Sequence, residues 1–468
     1  MSECMNNKLD RNYGLFTAIC MVIGTVIGSG VFFKAQTVLT KTGGSMPLGI
    51  LSWIIGGAIM LVCLMTFAFM GQKYEKVNGI VDYAEATVSP RYGYYLGWFS
   101  AIVYFPGMTS ALAWLSARYT LEFITSVNPD FPLIVPAAEG GCILGPECMA
   151  LALFYMSAVY AVNALSPKLA GKLQTSTTVI KLIPLCLMAV IGLIYGLSHG
   201  TLQENFSTTV TTVGQSSSPL FAGVCATAFA YEGWIVATSI NSEIKDSKKT
   251  LPKALILGGI IIIIVYLFYF IGVAGGASTK DLIDHGASVA FTNIFGGVLG
   301  NILKLFIAIS CLGTSNGLMI GCTRCVYAVA ARGEGPRPDI LGQVDSKTNM
   351  SPNSAVIALL VTAAWFLYFY LSNLAQTWTG AFVFDSTELP IVTIYPMYIP
   401  IIIQWMRKER DQSVWRRFVF PILAICGSLF MVLACVLSHR KTCIWYLIVF
   451  VVVMIIGGLL RTPRKKTA

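Results

Sequence analysis

The sequence predicts an all-α integral membrane protein with twelve transmembrane helices, and three observations carry that reading. First, 56% of its 468 residues are hydrophobic and only 12% are charged. Second, the charges are bunched between long uncharged runs. Third, two apolar segments carry short breaks, Gly28-Ser29-Gly30 within residues 24–33 and Tyr231-Glu232-Gly233-Trp234 within residues 220–240.

A spanning helix needs roughly 20 mostly apolar residues. Stretches without Asp, Glu, Lys or Arg cover residues 12–33, 42–72, 92–117, 148–167, 182–203, 254–279, 305–323, 348–384, 389–406, 418–439 and 442–460. Residues 220–240 add a twelfth span interrupted by one acid. The first run is too long for a signal-peptide core and lacks a small-residue cleavage site. With an even number of spans, both ends lie on one side.

The net charge of +10 raises a nucleic-acid reading that its placement rejects. With both termini in the cytoplasm, 24 of the 32 Lys and Arg residues fall on the inner face and 7 on the outer, with Lys181 inside a helix. That is the positive-inside pattern, and it predicts a multi-pass protein of the cell membrane with cytoplasmic termini. The basic tail at 461–466 serves as a topology anchor or touches anionic lipid heads.

The 13 cysteines fall mostly inside spans, where Cys acts as a small apolar residue. Cys142 and Cys148 sit in an outer loop and are either paired or free thiols. Cys322-Thr323-Arg324-Cys325 has a CxxC spacing with no second pair, so no metal site is expected. His199, His285 and His439 all fall in expected outer loops, which disfavours a histidine proton relay.

No soluble domain fits between the spans. Residues 1–468 read as one membrane transport domain. Residues 12–200 and 218–406 form two five-helix repeats, and helices 11 and 12 follow at 415–461. Each break lies in the first helix of its repeat, and five spans per repeat give the two halves opposite topology. Helices 3 and 8 are longer than a bilayer needs and should be tilted.

A lipid-spanning helix must satisfy its own backbone, so unwound segments are tolerated only where they line a cavity. Paired breaks in two halves point to a transporter's binding site. In Gly28-Ser29-Gly30 the glycines permit unwinding, which frees N–H groups for a carboxylate. The competing reading is close helix packing through the small pair Gly24 and Gly28. The second break offers carbonyls to an ammonium, with aromatics to close over it. Glu232 is an acid at mid-membrane depth, by default a functional residue; its alternative is a structural partner such as Lys181 or a hydroxyl. Lys181 is either a fixed cation standing in for a coupling sodium ion or a side chain snorkelling to the inner surface. Asp385 and Glu388, three residues apart, share a face near the start of helix 10, in an outer vestibule or as an interfacial pair.

Together these residues resemble the amino acid–polyamine–organocation superfamily and, within it, the L-amino-acid transporter family. Helix 1, Gly24-Thr25-Val26-Ile27-Gly28-Ser29-Gly30-Val31-Phe32, is similar to the family's G-x-x-I-G-S-G-I-F. Phe229-Ala230-Tyr231-Glu232-Gly233-Trp234 resembles F-A-Y-x-G-W and runs on to Glu243-Ile244-Lys245-Asp246 and Leu251-Pro252-Lys253-Ala254. Helix 8 carries Ser310 to Gly317, then Ala331-Arg332-Gly333-Glu334-Gly335-Pro336. Four motifs in order span most of the chain.

The resemblance implies a LeuT-like fold and alternating access, with sodium-independent exchange of L-amino acids. It implies that the substrate carboxylate meets the N–H groups of Ser29 and Gly30, and the ammonium the carbonyls of Val26 and Phe229. Ile27, Gly28, Ala230, Tyr231, Glu232, Trp234 and Asn316 complete the substrate set. Lys181, Ser310, Glu243 and Asp385 are the coupling and gating set. Glu232 replaces a common glycine and Asp385 a common neutral residue, which biases the pocket toward cationic side chains or carries a proton. The alternative is thus a proton-coupled permease or antiporter for cationic amino acids or polyamines. No catalytic residue, cofactor or metal is expected, because no span holds a His or a nucleophile–base pair. The partners are amino-acid substrates and the lipid bilayer. The missing cysteine-proline stretch in the outer loop argues against a disulfide-linked partner subunit, and the short tails suggest a bacterial member.

Overall fold

The structure is a computed structural model that describes residues 11–462 apart from 12, 29, 75–78, 134–144, 208–217, 240, 349 and 376. Ser29 and Cys142 lie outside the described residues. Among these residues the regular elements are helical, and a single isolated bridge joins Tyr13 to Ile244. Nine described helices are long and apolar enough to cross a membrane. The first broken helix is not among them, because its two pieces have 12 residues each. Residues 415–459 count once although Arg440 (φ 35°, ψ −101°) divides them into two legs.

The burial pattern fits a lipid solvent. Val356, Leu360, Ile194 and Ile455 stand exposed on the periphery, whereas Lys181, Asp82, Glu232, Glu243 and Arg324 are buried inside. In water such a distribution would place a large apolar surface outside and charges inside, the reverse of a soluble fold. Helix starts are set locally: Ser45, Ser89 and Ser166 accept hydrogen bonds from the amides of Leu48, Tyr92 and Leu169. Those bonds satisfy amides that have no partner within the helix.

Leu15–Val26 ends where Ile27 turns extended (φ −72°, ψ 97°), and the chain resumes as Gly30–Lys41. Pro219–Tyr231 ends at extended Glu232 (φ −77°, ψ 165°) and passes Gly233 before the short helix Val236–Ser239. Both sequence breaks are therefore real interruptions. They also touch: a Cβ built on Gly30 would lie 2.9 Å from Ala230 Cα, and one on Gly233 would lie 2.6 Å from the Thr25 carbonyl oxygen. Below them the Tyr13 amide donates to the Glu243 carbonyl (3.0 Å) and the Lys245 amide to the Tyr13 carbonyl (2.8 Å). The N-terminal approach to the first break is thereby tied to the segment after the second.

Three long helices pack around the breaks: Pro90–Val127, Lys168–His199 and Ala287–Ala330. The first has 38 residues; the last covers 44 but is broken at Gly296 (φ 81°, ψ 168°), and the stretch 297–330 that remains is still longer than a bilayer needs. Pro90–Val127 contains a π turn at Ser100–Tyr104. Such widened turns re-aim side chains at functional sites. Here the turn carries Tyr104 toward the second break.

Two expectations need correction. Asp385 and Glu388 do not share a helix face. The helix begins at Ile391, and both acids lie in the turn before it. Asp385 Oδ1 accepts from the Thr387 amide (2.7 Å), the Thr387 hydroxyl (2.6 Å) and the Glu388 amide (3.1 Å). This local capping competes with helix formation. The histidines expected in outer loops are helical as well: His199 and His285 are the last residues of helices Lys168–His199 and Thr279–His285, and His439 is not a loop residue either. It sits in helix Phe420–Leu459, one residue before the Arg440 kink, and meets Glu388.

Candidate functional site

At the first break the C-terminal carbonyls of Leu15–Val26 have lost their helical partners and need donors. Lys181 supplies them. Its Nζ donates to the Gly24 carbonyl (2.8 Å) and the Ile27 carbonyl (2.5 Å), and contacts Thr314 Oγ1 at 3.0 Å. The Thr314 hydroxyl contacts the same two carbonyl oxygens at 3.1 and 2.9 Å. Lys181 is fully buried, so its side chain does not snorkel. A cation on the negative end of a half-helix is electrostatically favoured. Gly28 lets Thr314 approach, since a Cβ there would meet its Oγ1 at 3.0 Å. The packing reading of the glycine pair has a physical basis here: Gly24 packs against Thr178 and Gln174, and Gly28 admits the Thr314 side chain.

Tyr266 ties the two breaks together. Its hydroxyl contacts the Val26 carbonyl at 3.1 Å and the Ala230 carbonyl at 2.9 Å. The Phe229 carbonyl accepts from the Glu232 amide at 3.4 Å. Tyr231 points away from this point and donates to the Trp53 carbonyl (3.0 Å). Trp53, Tyr231 and Tyr266 form an aromatic cluster with centroids 5.2–5.7 Å apart, Trp53 meeting both tyrosines edge-to-face. Trp234 is buried against Phe67 and Tyr398.

The Glu232 carboxylate is buried and accepts a short hydrogen bond from the Tyr104 hydroxyl. Of the two partners foreseen, the hydroxyl is the one present, since the Lys181 ammonium is taken by the first break. Asn316 does not face an open pocket. Its amide donates to Gln174 Oε1 (2.7 Å) and the Ala170 carbonyl (3.3 Å), which binds Ala287–Ala330 to the lysine-bearing helix. Ser310 is buried, with its hydroxyl unpartnered among the described residues. Glu243 pairs with Arg324 at 2.8 Å, both buried, beside the Tyr13 bridge. Asp385 lies in the capping turn described above, next to Glu388, which pairs with Lys34.

Sequence reasoning missed Thr314, Tyr266 and Tyr104. Thr314 lies inside the helix 8 motif and could have been weighed as a hydroxyl partner for Lys181. Tyr266 lies in an uncharged run of 26 residues, 254–279, and nothing local distinguishes it. Tyr104 is likewise unmarked, because the π turn that aims it has no clear sequence signal.

The sequence model of the amino acid permease family matches residues 13–459. The serine/threonine exchanger SteT of Bacillus subtilis is 28% identical over 452 residues, covering 94% of each chain. The b(0,+)-type amino acid transporter 1 of Mus musculus is 25% identical and covers 96% of this chain and 88% of its own. The crystal structure of MhsT in complex with L-phenylalanine superposes with a TM-score of 0.60 at 13% identity, covering 92% of this chain and all of that one. That likeness supports the LeuT-like fold the sequence motifs imply. With two interrupted helices in contact, a buried lysine holding the first of them, and permease sequence over residues 13–459, the chain belongs to the amino acid permease family of membrane transporters rather than to any enzyme class.

Proposed function

We propose that this chain is a sodium-independent exchanger of L-amino acids that works by alternating access. The observation that carries the reading is the Lys181 ammonium, held by two break carbonyls and the Thr314 hydroxyl. Carbonyls at an unwound helix end, joined by a hydroxyl, are the ligand set of a sodium ion in this class of site. A covalently tethered ammonium supplies the same charge permanently. The gradient of a free ion then has nothing to act on, and substrate exchange becomes the natural cycle.

The substrate carboxylate meets the amides of Ser29 and Gly30 at the positive end of Gly30–Lys41. Its ammonium meets the carbonyls of Val26 and Phe229, with Tyr266 holding Val26 to the neighbouring Ala230 carbonyl. Ile27, Gly28, Ala230, Tyr231, Glu232 and Trp234 shape the surrounding pocket, and Asn316 and Ser310 support it from the long helix. Glu243, through Arg324, acts as an ion-paired latch below the site. Twelve spans, two inverted five-helix repeats at 12–200 and 218–406, and cytoplasmic termini in the cell membrane complete the reading; the charge asymmetry supports that orientation.

Glu232 favours a second reading, proton-coupled uptake of cationic amino acids or polyamines, because a buried acid whose partner is a neutral hydroxyl has charge to offer a cation. Counterflow into liposomes with a panel of amino acids and polyamines separates the two. Uptake that needs preloaded substrate and ignores sodium and pH gradients supports exchange. Uptake that needs a proton gradient overturns it in favour of the second reading.

A further inference from the structure

Away from the central site, Gly30–Lys41, Pro219–Tyr231, the turn before Ile391 and helix Phe420–Leu459 converge on a second polar cluster. Cys225 Sγ lies 3.4 Å from Cys435 Sγ. His439 Nε2 lies 2.9 Å from Glu388 Oε2, and Glu388 Oε1 pairs with Lys34. The ligand atoms of Cys225, Glu388 and His439 all fall within 4.8 Å of one another. Cys435 and His439 are four residues apart in one helix and so share a face.

We propose that Cys225, Cys435, His439 and Glu388 bind one zinc-like divalent cation. Two thiolates, an imidazole and a carboxylate are the donor set that soft and borderline cations prefer over calcium or magnesium. Zinc bonds of about 2.0–2.3 Å set tetrahedral ligands roughly 3.3–3.8 Å apart. Two zinc-bound sulfurs lie about 3.8 Å apart, and the sulfur pair stands at 3.4 Å; the ligand atoms of Cys225, Glu388 and His439, within 4.8 Å of one another, close on an ion by side-chain rotation. Binding releases both thiol protons to solvent as two sulfur–metal bonds form. The charges then cancel: two thiolates balance the divalent ion, and Lys34 balances Glu388. A neutral assembly is what a low-dielectric interior tolerates. His439 exchanges its bond to Glu388 Oε2 for a bond to the ion, while Lys34 holds Oε1 in place.

The ligands come from three separate elements, so no CxxC spacing announces them. The ion would clamp the first piece of the second broken helix to the C-terminal helix. Resting on the transport reading above, this makes zinc a reversible brake on exchange, because alternating access moves these elements against each other.

The test uses the full-length, reduced protein and Co2+ as the probe. One Co2+ per chain is expected, with thiolate-to-cobalt absorption that Zn2+ displaces. The double variant Cys225→Ser/Cys435→Ser loses the band, and His439→Gln weakens binding at least about tenfold. If the double variant does not fold, Cys225→Ala and Cys435→Ala singly should each remove about half of the band. No thiolate band in the native chain, or an unchanged band in the variants, overturns the site. In liposomes, Zn2+ should inhibit counterflow of the native chain, reversibly with a chelator, and spare the double variant. The spectrum decides the metal site whether or not the protein exchanges amino acids, and metal-free counterflow decides exchange.

Discussion

The two breaks solve one problem in different ways. In the first, the stranded carbonyls of Gly24 and Ile27 are served from outside, by Lys181 and Thr314 on other helices. In the second, Tyr266 serves the Ala230 carbonyl at 2.9 Å, and the chain serves two others itself: the Glu232 amide reaches the Phe229 carbonyl at 3.4 Å, and the Val236 amide reaches the Gly233 carbonyl at 3.0 Å. The first break therefore depends on distant side chains, and the second more on its own backbone, above all on Gly233 (φ +96°). The charges also differ. A lysine serves the first break and an acid sits in the second, so the site holds both signs without pairing them to each other.

That contrast can be broken most sharply at Lys181. Lys181→Met should strand buried carbonyls at about 1–3 kcal/mol for each one left unsatisfied. Thermal unfolding in detergent should fall by several degrees, and exchange should drop at least about tenfold. If sodium restored part of the activity of the smaller variant Lys181→Ala, the ammonium would be confirmed as an ion surrogate. Unchanged stability in Lys181→Met would mean that Thr314 alone holds the break.

At the second break the backbone is the target. Gly233→Ala forces a side chain onto a left-handed residue and drives its Cβ to 2.6 Å from the Thr25 carbonyl oxygen. A cost of about 1–3 kcal/mol is expected from the conformation, before the clash is counted. Counterflow should be lost at expression levels where the native chain is active. A native-like melting temperature would show that the second break is not self-held.

Tyr266→Phe removes a hydroxyl that touches both breaks. About 1 kcal/mol of stability is expected to go. Affinity should weaken about equally for every amino acid, because the Val26 carbonyl that Tyr266 holds is proposed to meet the ammonium all amino acids carry. A change confined to one side-chain class in competition assays would contradict that role.

The smallest expected change in stability belongs to Glu232→Gln, since the amide can keep the Tyr104 contact. Here the readout is preference. Cationic substrates should lose ground to neutral ones in competition counterflow, or the pH dependence of uptake should flatten. If neither moved, Glu232 would be structural.

Particular residues show how far the sequence reaches. The bilayer makes each helix satisfy its own backbone, so the breaks at Gly28 and Gly233 are visible as exceptions within apolar runs. For the same reason a lone lysine such as Lys181 stands out inside a span. Asp385 and Glu388 were misread because periodicity cannot see a side chain that caps its own turn. His439 was misread because a kink at Arg440 looks like a loop when only hydropathy is considered.

The sequence by itself determined the solvent, the helical class, the positions of the two interruptions and the family motifs. Each is encoded in residues close together in the chain. The tertiary structure alone decided which partner each charged group meets. Lys181 finds Ile27 across 154 positions, Glu232 finds Tyr104 across 128, and Cys225 finds Cys435 across 210. Periodicity specifies which face a residue occupies, but the element packed against that face is chosen by the whole bundle.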